Sequence, residues 1–102
     1  MDRVDRVENL VLTEPAQFKA LGHPVRWRIV GLLGEDGDAT ITQLARALER
    51  SKGSVGHHVA VLADAGIIEP SRTRPVRGVV EKYWRRAARS YELSDASGST
   101  AS

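Results

Sequence analysis

The stretch ITQLARALERSKGSVGHHVAVLADAGI, residues Ile41–Ile67, carries the pattern around which the rest of this 102-residue chain is organised. Leu44, Ala45 and Leu48 recur at helical spacing, and Thr42 stands where an N-cap begins such a helix. Glu49-Arg50 interrupts the period. Ser51 then opens a second helix, with Val55, His58 or Val59, and Leu62 on its inner face and Gly66 past its end. Two short amphipathic helices across a tight break are the layout of a helix-turn-helix. That motif sets the first turns of its second helix against base edges in the major groove of DNA.

Upstream, Thr13-Glu14-Pro15 reads as a helix start, with threonine as cap and proline where its missing N–H does no harm. This helix runs to Leu21 and stops at Gly22. His23-Pro24 begins another, with Val25, Ile29, Leu32 and Leu33 on one face and Arg26 and Arg28 on another. Gly34 to Asp38 is a polar loop, and Ala39-Thr40-Ile41 is short enough for an edge strand. Downstream, Ile67-Ile68 opens a strand, Thr73 to Gly78 breaks it, and Val79 to Trp84 resumes it, which makes a hairpin with a basic turn. Arg85 to Tyr91 fits a strand extension or a last helix equally well.

The order predicts a mainly α fold with a small β-hairpin, a winged helix-turn-helix over residues 13–91. Residues 1–12 (Val4, Val7, Leu10, Val11) form a partly ordered extension in this reading, and 92–102 a disordered tail. At 41% hydrophobic and 27% charged, the chain has the composition of a globular protein with one thin core. A dimer would relieve that thinness. The absence of cysteine excludes disulfides, cysteine-ligated zinc and thiol redox sensing, and fits a reducing cytoplasm. No apolar run spans a bilayer, and the alternating acids and bases of the N-terminus are unlike a signal peptide. A cytoplasmic protein with no membrane partner is expected.

The formal net charge is only +2, yet it is unevenly spread. Asp2, Asp5, Glu8 and Glu14 outnumber Arg3 and Arg6 at the start. Between residues 67 and 91, Arg72, Arg74, Arg77, Lys82, Arg85, Arg86 and Arg89 outnumber Glu69 and Glu81. That end has the charge of a polyanion-binding face, or of a solvated surface.

Three segments together resemble the ArsR-like family of bacterial winged-helix transcription regulators. LGHPVRWRIVGLL is similar to the family's second-helix signature. ITQLARALERSKGSVGHHVAVLADAGII is similar to its helix-turn-helix, with landmarks at His58, Leu62 and Ala65-Gly66, and RTRPVRGVVEKYW to its wing. The resemblance covers residues 16 to 86. It implies a dimeric, sequence-specific DNA-binding regulator, more often a repressor, with recognition helices about one helical turn apart on a pseudo-palindromic operator. The chain departs from the pattern at Glu49-Arg50, where glycine and an apolar residue are usual, and at Gly53 and Gly56 inside the recognition helix.

The expected DNA-binding residues follow from docking geometry. Ser51, Lys52, Ser54 and His57 lie on the first turns of the second helix, and Arg72, Arg74 and Arg77 on the wing. Lys52 suits guanine O6 and N7 or a phosphate, and His57 can donate or accept in the groove. Ser54 suits either target, whereas Ser51 is needed as a cap in any case. Gly53 and Gly56 either allow the backbone close to phosphate or are only tolerated in the helix. A basic hairpin tip suits a narrow minor groove. One of Arg26 and Arg28 is expected at a phosphate and the other at a carboxylate. Lys82, Arg85 and Arg86 face DNA or solubilise the strand. One of Tyr83 and Trp84 should enter the core while the other covers a partner or the first helix. Phe18 and Trp27 read as core or dimer contacts, and Leu10, Phe18 and Leu21, with Arg85 to Leu93, as the dimer surface.

Many ArsR-like relatives sense metals through cysteine clusters or Asp/His pairs. Here the histidines are His23 and the adjacent His57 and His58, which diverge by about 100° on a helix and make no chelate. No metal or cofactor is expected, and any small-molecule effector is unknown. No nucleophile and base stand at catalytic spacing, and His57 with Asp64 makes no dyad. The competing reading is a winged-helix protein-interaction module lacking DNA affinity.

Overall fold

Thr40 and Ser51 set the two helices that the rest of the domain supports. A computed structural model describes residues 7–94. Its elements are β1 (Val7–Leu12), α1 (Pro15–Leu21), α2 (Pro24–Leu33), β2 (Ala39–Thr40), α3 (Ile41–Leu48), α4 (Lys52–Asp64), β3 (Ile68–Val76), β4 (Val79–Arg86) and β5 (Ala88–Leu93). The helix-turn-helix is α3 and α4, and the wing is β3 with β4. The fold is the expected winged helix-turn-helix.

Cap chemistry explains where the helices begin. Thr40, not Thr42, caps α3: its hydroxyl accepts from the Gln43 N–H at 3.0 Å, and the Gln43 side chain accepts from the Thr40 N–H at 3.0 Å. Only Thr40 has a glutamine three residues on, so only it closes this reciprocal box. Likewise α1 is capped at Glu14 rather than Thr13, because the Gln17 carbonyl oxygen accepts both the Thr13 and Glu14 N–H groups at 3.0 Å. His23 caps α2, its Nδ1 accepting from the Val25 N–H at 3.2 Å, and Pro24 occupies the first turn.

The core gathers Ile29, Leu33, Leu44, Val55, Val59, Leu62 and Ile68 from α2, α3, α4 and β3, with Ile67 from the turn before β3. On α2 the inward residues are Val25, Ile29, Val30 and Leu33, whereas Leu32 is half exposed. Both sets fit helical spacing, so the period alone does not choose between Val30 and Leu32. Leu21 is buried and Leu10 and Phe18 pack against the same core, so α1 spends inward the residues expected to join a dimer.

Two sheets complete the fold. In one, the order is β2-β4-β3, antiparallel throughout, with Thr40 opposite Tyr83 and Val76 opposite Val79. The wing strands are longer than expected: the break placed at Thr73 to Gly78 contracts to Arg77-Gly78, both with positive φ, 52° and 80°. A two-residue turn of that hand matches strand twist and lets pairing continue through Pro75 on an edge strand. The other sheet pairs β1 with β5 in parallel, Val7 opposite Ala88 and Leu12 opposite Leu93. The ambiguous segment after Arg85 is therefore strand, and it runs two residues into the expected tail. The Tyr91 hydroxyl fixes it to the wing's base, donating to the Ile67 carbonyl and accepting from the Ala87 N–H. Residues 1–6 of the expected extension and 95–102 of the tail lie outside the described residues.

Candidate nucleic-acid interface

The turn between α3 and α4 is built on an uncommon backbone. Glu49 ends α3 in the left-handed region, φ 57° and ψ 47°, and its N–H closes back on Ala45 and Arg46 carbonyls. A side chain in that region costs roughly 1–2 kcal/mol, which is why glycine is usual at such a helix end. Ser51 then caps α4, its hydroxyl accepting from the Ser54 N–H at 3.1 Å. Ser51, Lys52, Gly53 and His57 are exposed and Ser54 and Gly56 partly so, while Val55, His58, Val59 and Leu62 anchor the opposite face. Lys52 has no ion-pair partner among the described residues. The first turns of α4 thus offer an ammonium, an imidazole and a strip of bare backbone.

Ser54 is less free than the sequence suggests. Arg50 Nη1 donates to its hydroxyl at 3.2 Å, which brings a guanidinium to the rim of the recognition helix. Arg50 is absent from the expected set. The signal was its spacing: four residues before Ser54, a lateral pair for a side chain lying along the helix start.

Behind this face, His58 is buried and neutral. Its Nδ1 accepts from Arg26 Nη1 at 3.2 Å, and the His23 ring stands 4.6 Å away, centroid to centroid. Burial holds the His58 imidazole below its ordinary pKa, and the neighbouring His23 ring and Arg26 guanidinium reinforce the shift. Arg26 Nε also donates to the Ala20 carbonyl at 2.7 Å, so Arg26 is held by the interior and, among the described residues, pairs with no carboxylate.

On the wing, the three expected arginines have separate fates. Arg72 forms a two-point bond to Asp38, Nε to Oδ2 at 2.9 Å and Nη2 to Oδ1 at 3.4 Å, and lies 3.8 Å over the Tyr83 ring. A bulge between Pro70 and Arg72 turns Ser71 toward the same carboxylate, whose Oδ2 accepts its hydroxyl at 2.9 Å. The Arg72 guanidinium and the Ser71 hydroxyl outweigh burial and hold the Asp38 carboxyl below its usual range. Arg74 is 3.6 Å from Glu81. Arg77 stands at the turn with no ion-pair partner among the described residues. Its positive φ and that of Glu49 are the two non-glycine cases in the described chain, one at each end of the surface expected to meet DNA.

Tyr83 and Trp84 divide as strand alternation requires: Trp84 is partly buried against the core and Tyr83 is buried beneath Arg72. Trp27 is half exposed on α2, so it is not a core residue. The basic segment is also paired within the chain. Arg85 meets Glu69 at 2.7 Å, Arg86 Nε donates to the Val30 carbonyl at 2.9 Å, and Arg89 pairs with Asp36 and with Glu8. Local acids and carbonyls therefore answer much of the charge that stood out along the chain. Among the described residues no cluster of His, Cys, Asp or Glu is arranged to hold a metal, and no helix is long and apolar enough to cross a membrane.

Comparison with known proteins places this geometry. Residues 21–71 match the family profile described as a helix-turn-helix domain. The chain is 36% identical over 62 residues to the arsenic resistance transcriptional regulator ArsR1 of Pseudomonas putida, covering 61% of this chain and 48% of that protein. It is 38% identical over 55 residues to the transcriptional repressor SdpR of Bacillus subtilis, covering 54% of this chain and 60% of that one. This chain spans about half the length of the curated relatives it matches. Among solved structures, the homodimeric winged helix-turn-helix DNA-binding domain of a possible ArsR-family regulator from Mycobacterium bovis is similar in fold. Its TM-score is 0.58 at 23% identity, covering 72% of this chain and 62% of that chain.

Proposed function

Because the chain belongs to the ArsR family of winged helix-turn-helix transcription regulators, whose members are not enzymes, we propose that it is a cytoplasmic, dimeric, sequence-specific DNA-binding repressor without a metal-sensing site. The observation that carries this reading is the exposed start of α4. Lys52, Ser54 and His57 project from a helix held by the Ser51 cap on one side and a packed Val55-Val59-Leu62 face on the other. Such a rigid mount is what base readout needs. Arg77 and Arg74 add phosphate or minor-groove contacts from the wing, and Arg50 adds a phosphate contact beside Ser54. Arg72 braces the wing instead of reaching outward.

The test is a binding titration against duplexes selected from genomic fragments. A protein neutralising about 6–10 phosphates loses roughly 10³–10⁵ in affinity between about 50 and 200 mM salt. A flat salt response rejects DNA binding. The internal pairing of Arg72, Arg85, Arg86 and Arg89 favours a second reading, a winged-helix protein-interaction module lacking DNA affinity. On that reading the Lys52→Ala, Arg74→Ala double variant keeps full function. On the first, it loses operator binding.

A further inference from the structure

We propose that two copies join along the exposed edge of β1, whose strands run antiparallel about a two-fold axis at Asn9 and fuse two β1–β5 pairs into one four-stranded sheet. This rests on the dimer reading above and names its interface.

The first argument is that the β1–β5 sheet is incomplete. It has two parallel strands and, among the described residues, no third. Pairs of strands are marginal alone, and parallel strands ordinarily have neighbours. The outer edge of β1 therefore presents a row of N–H and C=O groups ready for another strand. The second argument is that nothing among the described residues guards this edge. VENLVL holds no proline, lysine or glycine, and its one charge, Glu8, is answered by Arg89 of β5 at 3.6 Å.

The third argument fixes the occupant as a second copy. Val7 and Val11 are 51% and 44% exposed, and they stand two residues to either side of Asn9. An antiparallel pairing centred on Asn9 sets Val7 opposite Val11 of the second copy, twice. β-Branched residues directly across strands are the pairs that stabilise a sheet. In the same register Glu8 falls opposite Leu10, so no like charges face each other directly. The segment complements itself. The α1 side chains expected to form a dimer are meanwhile consumed by the core, Leu21 being buried and Phe18 packed against it. Both β1 and β5 lie outside the matched residues 21–71.

The experiment measures mass in solution by light scattering or sedimentation for the full chain, Val7→Lys plus Val11→Lys, and Leu32→Lys as a control on another exposed apolar position. The expected result is a dimer for wild type and the control, and a halved mass for the β1 variant with an unchanged far-ultraviolet spectrum. A β1 variant that stays dimeric overturns the edge and leaves the dimer reading standing. A wild type that is monomeric both free and on DNA overturns both. If the lysine variant unfolds, Asn9→Cys decides the matter, since the chain has no other thiol. Mild oxidation then yields a disulfide-linked dimer on a non-reducing gel, and monomer alone rejects the proposed axis.

Discussion

Arg26 Nη1 donates to His58 Nδ1 across 3.2 Å, a polar contact that joins α2 to the inner face of the recognition helix beside their shared apolar core. A guanidinium has no lone pair to offer, so the imidazole nitrogen must be the acceptor and the ring must be neutral. His23, Arg26, His57 and Arg50 all surround His58 with positive or potentially positive charge, on top of the cost of burial.

That arrangement makes stability depend on pH with a definite sign. Because the folded pKa of His58 is lowered, the unfolded chain takes up the proton first. Its contribution is complete above the ordinary histidine value of about 6.5 and is lost as the pH falls below it. Melting at about pH 5.5 should therefore be lower than at about pH 7.5, and His58→Gln, which keeps an acceptor without a titrating group, should flatten the difference. An unchanged pH profile in that variant would place the effect elsewhere.

Gly56 separates folding from recognition. A methyl group there would meet only Ile41 Cδ1 at 3.8 Å, an ordinary contact. Gly56→Ala should stabilise α4 by about 1 kcal/mol. If the bare backbone serves close approach to DNA, the same variant binds operator more weakly while melting at a higher temperature. A rise in stability with undiminished affinity removes that role from the glycine.

Glu49 carries strain that glycine would relieve. Glu49→Gly should raise stability by about 0.5–1 kcal/mol, the left-handed cost less the extra chain entropy of glycine. A urea midpoint that fails to move upward contradicts the strain.

The wing arginines should part company under salt. Arg77→Ala removes an unpaired cation and should lower the salt slope of DNA binding by roughly one. Arg72→Ala should leave that slope nearer wild type and instead speed hydrogen exchange along β3 and β4. Asp38→Asn should reproduce the exchange effect, because either change breaks the same two-point bond. Equal slope changes in Arg72→Ala and Arg77→Ala would mean that Arg72 leaves Asp38 for DNA.

What the amino acids disclosed in advance was governed by local chemistry. The Ser51 cap, the inward Leu44, Ala45 and Leu48, and the short Ala39-Thr40 strand follow from periods and caps that a few neighbouring residues define. The β1–β5 pair was hidden because its partners lie at opposite ends of the chain, and no local pattern specifies a parallel register. The fate of the arginines was hidden for a related reason. Asp38 and Arg72 are remote in sequence, so charge along the chain overstated the charge offered to a ligand. The inner face was expected to hold His58 or Val59 and it holds both, but nothing nearby in sequence named Arg26 as the donor to His58.

Asp38 sits in the loop that leaves α2, and it is gripped by Ser71 and Arg72 at the base of the wing. The wing is thus a lever whose fulcrum is that carboxylate, with Arg77 at the far end. The contacts of that carboxylate lie on the wing, whereas α4 is seated separately by Val55, Val59 and Leu62. Geometry of this kind allows the grip on one groove to be adjusted without altering the residues in the other.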